Sequence, residues 1–179
     1  MKKSILVAAV VCLSALALSA FDTTAFQISL WAPRAQLVPP EIAISGLKLN
    51  LPYGNNSKVT GVDLGFVSIN REQDDKLDAQ VSAFQVNLWN STNGRFGGFQ
   101  VGLVNLADTS AGIQVGLLNS TDNMFRGFHV GVFNSSLEVH GLEVGLINYT
   151  EFLTGVQIGL INIATKSTLP FFPIINMCF

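Results

Sequence analysis

Gly98-Phe-Gln-Val-Gly-Leu-Val-Asn105, Gly112-Ile-Gln-Val-Gly-Leu-Leu-Asn119, Gly127-Phe-His-Val-Gly-Val-Phe-Asn134, Gly141-Leu-Glu-Val-Gly-Leu-Ile-Asn148 and Gly155-Val-Gln-Ile-Gly-Leu-Ile-Asn162 align without gaps, their starts 14 or 15 residues apart. A fixed period of this kind marks a repeat architecture. The frame extends outward in weaker form through Ala83–Asn90, Gly61–Ser68 and Gly46–Tyr53, and forward to Leu169–Asn176. Nine copies are thus predicted between residues 46 and 176.

Each column of the octet carries a physical meaning. Positions two, four and six are apolar, with Pro170 the exception, while one, three and five are small or polar, mostly Gly, Gln and Gly. Period-two alternation describes a β-strand with two unlike faces, and a helix would need spacings of three and four. Position seven is apolar again, so the alternation breaks and the chain bends there. Position eight is Asn in seven copies, Asn90, Asn105, Asn119, Asn134, Asn148, Asn162 and Asn176. The residues after it, such as Ser120-Thr-Asp-Asn123, read as turns.

An all-β fold follows, and two architectures satisfy the pattern. In a parallel β-solenoid each 14–15-residue repeat is one coil, and the Asn column forms a ladder of side-chain amides between coils. In an antiparallel meander each repeat is one strand, and such strands can close as a small outer-membrane β-barrel. The terminal Phe179 and the low charge speak for the barrel. The uniform links, the Asn column and the scarcity of Tyr and Trp (two each) favour the solenoid. Burial of apolar surface then predicts Val115 and Val144 inside, with Gln114 and Glu143 facing solvent.

The ends read differently. Lys2 and Lys3 precede an apolar run from Ile5 to Leu18 and small residues at Ser19 and Ala20, the layout of a signal peptide over residues 1–20 with cleavage after Ala20. Residues 21–45, with Phe26-Gln-Ile-Ser-Leu-Trp31, are expected to form an N-terminal cap strand and turns, 46–168 the repeat array, and 169–179 a proline-blocked C-terminal cap. Residues 70–80 (NREQDDKLDAQ) form an insertion. Without the leader the chain keeps one cysteine, Cys178, so no internal disulfide holds it.

The opening GLKLNLPYG, the GxQxGLxN octets and the LPFFPIIN ending together resemble the uncharacterised bacterial surface repeat-containing proteins first described in leptospires. That resemblance spans roughly Phe26 to Phe179, implies exposure at the surface or envelope, and brings no catalytic residues with it. The chain departs from the pattern at Ser68, Ala83 and Asn87.

The residues themselves offer little chemistry. Ten Lys and Arg against twelve Asp and Glu give a net charge of −2, which supplies no field for nucleic acid. His129 and His140 sit in what the pattern makes solvent-face columns, without a third ligand at metal-binding spacing. Glu72, Asp74, Asp75 and Asp78 are the weak candidates for a divalent cation, though neither an EF-hand nor a calcium-roll spacing is present. No Gly-x-Ser-x-Gly elbow or phosphate-loop spacing occurs. The expectation is an exported, non-enzymatic structural or adhesion-like protein of the cell surface, outer membrane or extracellular space, without cofactor. Its expected partners are proteins, surfaces or copies of itself, with outer-membrane association included. The alternative is a small outer-membrane barrel serving as pore or anchor.

Overall fold

A computed structural model describes residues 23–71 and 79–179. The leader segment and the carboxylates Glu72, Asp74, Asp75 and Asp78 lie outside the described residues. Ten strands make up the fold: β1 (Thr23–Trp31), β2 (Ala35–Gln36), β3 (Ala43–Asn55), β4 (Lys58–Asn70), β5 (Ala79–Val101), β6 (Val104–Val115), β7 (Leu118–Val130), β8 (Phe133–Val144), β9 (Ile147–Ala164) and β10 (Phe171–Cys178). They lie side by side in the order β10-β9-β8-β7-β6-β5-β4-β3-β1-β2. From β1 to β9 every pairing is parallel, and only β2 and β10 run antiparallel to their neighbours. The fold is a parallel β-solenoid. Its terminal strands do not pair with each other, which overturns the antiparallel meander and the barrel.

The repeat frame is the pairing register. Gly112 pairs with Gly127, Gln114 with His129 and Asn119 with Asn134, so equivalent columns stack coil upon coil. Strands β6, β7 and β8 begin at octet position seven and run through the turn to position four of the next octet, and Gly116-Leu117, Gly131-Val132 and Gly145-Leu146 make the bends that follow them. Two boundaries differ from expectation. Ala25-Phe-Gln-Ile-Ser-Leu-Trp31 is itself a coil, with Gln27 opposite Lys48 in parallel register. Leu169–Asn176 is not a coil: β10 turns back along β9, placing Asn176 opposite Gln157. Stacked frames therefore begin at Ala25, Gly46, Gly61, Ala83, Gly98, Gly112, Gly127, Gly141 and Gly155.

The faces are the reverse of the prediction. Gln114 and Glu143 are fully buried, whereas Val115 and Val144 lie on the outer, partly exposed face. His129 is buried as well, while Phe128 and Val130 beside it are 51% and 42% exposed. Space explains the inversion. The inward positions are octet one, three and five, and two of them are normally Gly. A Cβ at Gly127 lies 2.0 Å from the carbonyl oxygen of Gly112 on the preceding coil, on a backbone with φ +130°. One at Gly131 lies 2.6 Å from the carbonyl oxygen of Gly116 and 2.7 Å from the Asn119 amide nitrogen. The interior is thin, and at octet positions three and eight it takes amides.

The apolar core lies elsewhere, in a column two residues before each octet. Ile44, Val59, Val81, Phe96, Phe125, Val139 and Leu153 occupy it, all nearly or fully buried. Small residues from position ten, among them Ala107, Thr121, Ser136 and Ala164, are buried with them. Ser110 stands in the same column between Phe96 and Phe125, and the seam divides there into two clusters.

Candidate functional site

Two features could carry function: the polar interior and the outer apolar band. The first is a ladder. Asn87 Nδ2 donates to Asn90 Oδ1 at 2.8 Å, and the chain continues through Asn105, Asn119, Asn134, Asn148 and Asn162 at 2.7–2.9 Å. From Asn90 to Asn148 each amide also donates to the position-four carbonyl of the following coil, as Asn119 does to Val130 at 3.0 Å. The short Asn side chain thereby holds the next bend while pairing with its own kind, so the buried amides stay satisfied. The last rung, Asn162, donates instead to Phe172 of β10 at 3.1 Å. Asn176, placed by sequence in this column, belongs to the other one and meets Gln157 at 3.5 Å.

That other column is position three. Gln85 Nε2 donates to Asp63, Gln100 to Gln85 and Gln114 to Gln100, at 2.6–2.9 Å. Because Gln114 spends its amide on Gln100, its oxygen faces His129 Nε2. His129 Nδ1 lies 3.2 Å from Glu143 Oε1, and Glu143 Oε2 accepts from Gln157 at 2.8 Å. The direction of the amides therefore demands a proton on Nε2 and one between Nδ1 and the carboxylate. In either placement of the second proton the buried pair is neutral overall. Burial lowers the pKa of His129 below its ordinary value, and the hydrogen bond and charge of Glu143 partly oppose this. Phe125 stacks on the imidazole with ring centroids 3.4 Å apart.

A second charged centre closes the column at its start. Lys48 Nζ, fully buried, lies 3.4 Å from Asp63 Oδ2 and donates to Ser68 and Asn70 at 2.9 and 2.7 Å. Asp63 accepts from Asn50, Ser68, Gln85 and Asn87. Burial lowers the pKa of Lys48, with Asp63 opposing. Sequence reasoning missed this hub. Its signal was a charge of each sign at position three of two adjacent, weaker frames.

The outer band consists of octet positions two, four and six. Over nine frames these 27 positions are all apolar, from Phe26, Ile28 and Leu30 to Val156, Ile158 and Leu160. Leu103, Leu117, Leu146 and Leu160 at position six are 50–67% exposed. Phe84 and Phe99 stack across two coils with centroids 5.2 Å apart. Beside the band runs a rim of Ser45, Thr60, Ser82, Gly97, Ala111, Arg126, His140 and Thr154. His140, placed on the solvent face by sequence, sits there, its Nε2 2.7 Å from Glu138. An open groove near the first coils is lined by Lys58, Thr60, Ser82 and Arg95 among others.

Among the described residues the interior's ionisable side chains His129, Glu143, Lys48 and Asp63 are all buried and paired with one another. The outer band can bury apolar surface against a partner. No family model, no curated protein and no solved structure matches this chain.

Proposed function

We propose that this chain is a non-enzymatic, exported protein of the bacterial surface or envelope that works as a structural or interaction element, in keeping with its resemblance to the leptospiral surface repeat proteins. One observation carries the reading: in every octet the solenoid turns the polar side chains inward and the large apolar ones at positions two, four and six outward. Soluble monomers seldom expose contiguous apolar patches beyond a few hundred Å2, and larger ones mark interaction sites. Four ionisable side chains buried inside serve each other and the amide columns, and so support a scaffold rather than a reaction centre.

Export rests on the leader layout, with the mature chain beginning at Phe21. Cell fractionation with N-terminal sequencing and protease shaving of intact cells tests the proposal. The expected result is an envelope-located chain beginning at Phe21 and removed by external protease. A chain retaining Met1 in the cytoplasm overturns it.

A further inference from the structure

We infer that the outer apolar band is a two-fold interface and that its occupant is a second copy of this chain. The inference names the partner of the surface on which the proposed function rests. Parallel sheets of α/β folds have both faces covered, because their crossover helices lie on them. Here the inner face is closed by the coil itself, while the outer face carries three unbroken apolar rows with nothing over them among the described residues.

Size fits a copy. Nine coils at about 4.8 Å make a strip about 40 Å long, and the three rows, two on the strand and one at the bend that follows it in the middle coils, make it about 15 Å wide. That is about 600 Å2 of apolar surface per copy and about 1,200 Å2 for two, the lower end of stable protein interfaces. The composition fits too. None of the 27 band positions is charged, so identical bands meet without like-charge repulsion, and the Ser/Thr-rich rim supplies the polar border usual around an interface core.

A bilayer fits less well. Amphipathic helices that lie on membranes carry Lys and Arg beside their apolar face, where anionic lipid headgroups attract them. Arg126 is the only Lys or Arg in the adjoining rim row, and the chain is net negative.

The ends of the rod do not compete for the contact. β10 runs antiparallel over the last coil, with Pro170 and Pro173 in or beside it, and β2 pairs with part of the β1 edge. Both devices oppose end-to-end stacking. With one band per chain the association closes at two copies, as an isologous contact must. Full overlap puts the axis beside the fifth of the nine coils, at Val101.

Sedimentation of the purified full-length mature chain tests this. A mass of two chains is expected, with Leu117→Glu weakening association at least about tenfold while the β-sheet circular dichroism stays unchanged. In a Cys178→Ser background, Val101→Cys is expected to form a disulfide-linked dimer under mild oxidation, and Asp122→Cys on the turn side is not. These crosslinks keep the test sharp if the glutamate variant fails to fold. A monomer at all concentrations overturns the inference, as does a dimer indifferent to Leu117→Glu. A chain that floats with phosphatidylcholine vesicles and does not dimerise in their absence overturns it in favour of a lipid face. None of these outcomes bears on where the protein resides, so export and dimerisation fail separately.

Discussion

Glu143 and its neighbours Leu142 and Val144 belong to one strand, yet the carboxylate is fully buried and the two aliphatic side chains look outward. The inner face of the solenoid is held by hydrogen bonds between like side chains, the outer face by nothing within the chain. A polar group is stable in the interior when the next coil brings an identical group to about 4.8 Å, because each amide is both donor and acceptor. An apolar side chain gains only from what covers it. Polarity of a face and burial of that face are separate properties, and here repetition separates them.

The largest effect should come from breaking a buried polar pair. His129→Gln supplies the column's usual residue but leaves Glu143 buried without its protonated partner, and a loss of about 3–5 kcal/mol is expected. Adding Glu143→Gln should restore the stability fully or exceed it, since the column then carries amides throughout. Urea midpoints of the two variants at one protein concentration measure the difference. Failure of the second change to rescue the first would show that the pair does more than fill the column.

The ladder comes next. Asn119→Ala leaves Asn134 Oδ1 without its donor and takes one bond each from Asn105 Nδ2, which keeps the Val115 carbonyl, and from the Val130 carbonyl, which keeps the Gly116 N–H. A cost of about 1–3 kcal/mol is expected, and the same for Asn134→Ala. The two share the 2.8 Å bond between them, so the double variant should cost less than the sum. Strict additivity in a double-mutant cycle would mean that the rungs act alone.

Smaller and opposite in sign is Ser110→Ala. The Ser110 hydroxyl is buried without a hydrogen-bond partner in the apolar seam. Removing it should stabilise the chain by about 1 kcal/mol, read as a higher melting temperature. Smallest is Val130→Thr on the outer band, which keeps the shape of the side chain and, at a protein concentration where the chain is monomeric, should stay within about 0.5 kcal/mol. A large loss there would place Val130 inside after all.

Much of this was legible in the residues. The octet frame anticipates the register pair by pair, as in Asn105 against Asn119 and Asn134 against Asn148. Less legible were the ends. Ala25-Phe-Gln-Ile-Ser-Leu-Trp31 matches Ala83-Phe-Gln-Val-Asn-Leu-Trp89 at five of seven positions, a signal strong enough to mark it as a coil. In the sequence it reads as a cap, because a solenoid end exposes unpaired backbone and apolar core that an atypical segment is expected to cover. Leu169–Asn176 shares the spacing, yet its two prolines cannot serve as ladder donors, and β10 pairs backwards. The apolar core column was overlooked because it lies in what read as turn, before the octet.

Sequence by itself determined the all-β class, the 14–15-residue frame and its asparagine column, and it favoured the parallel stack over the antiparallel barrel. Each follows from spacing, and spacing survives without coordinates. Only the tertiary structure decided which face is inside. Alternation says that Gln114 and Gly116 share one side and Val115 and Leu117 the other, but it is symmetric between in and out. The choice is made by room: with glycine Cα atoms packed against the carbonyls of the preceding coil, the interior at those positions admits a single layer of amides and leaves the branched side chains outside.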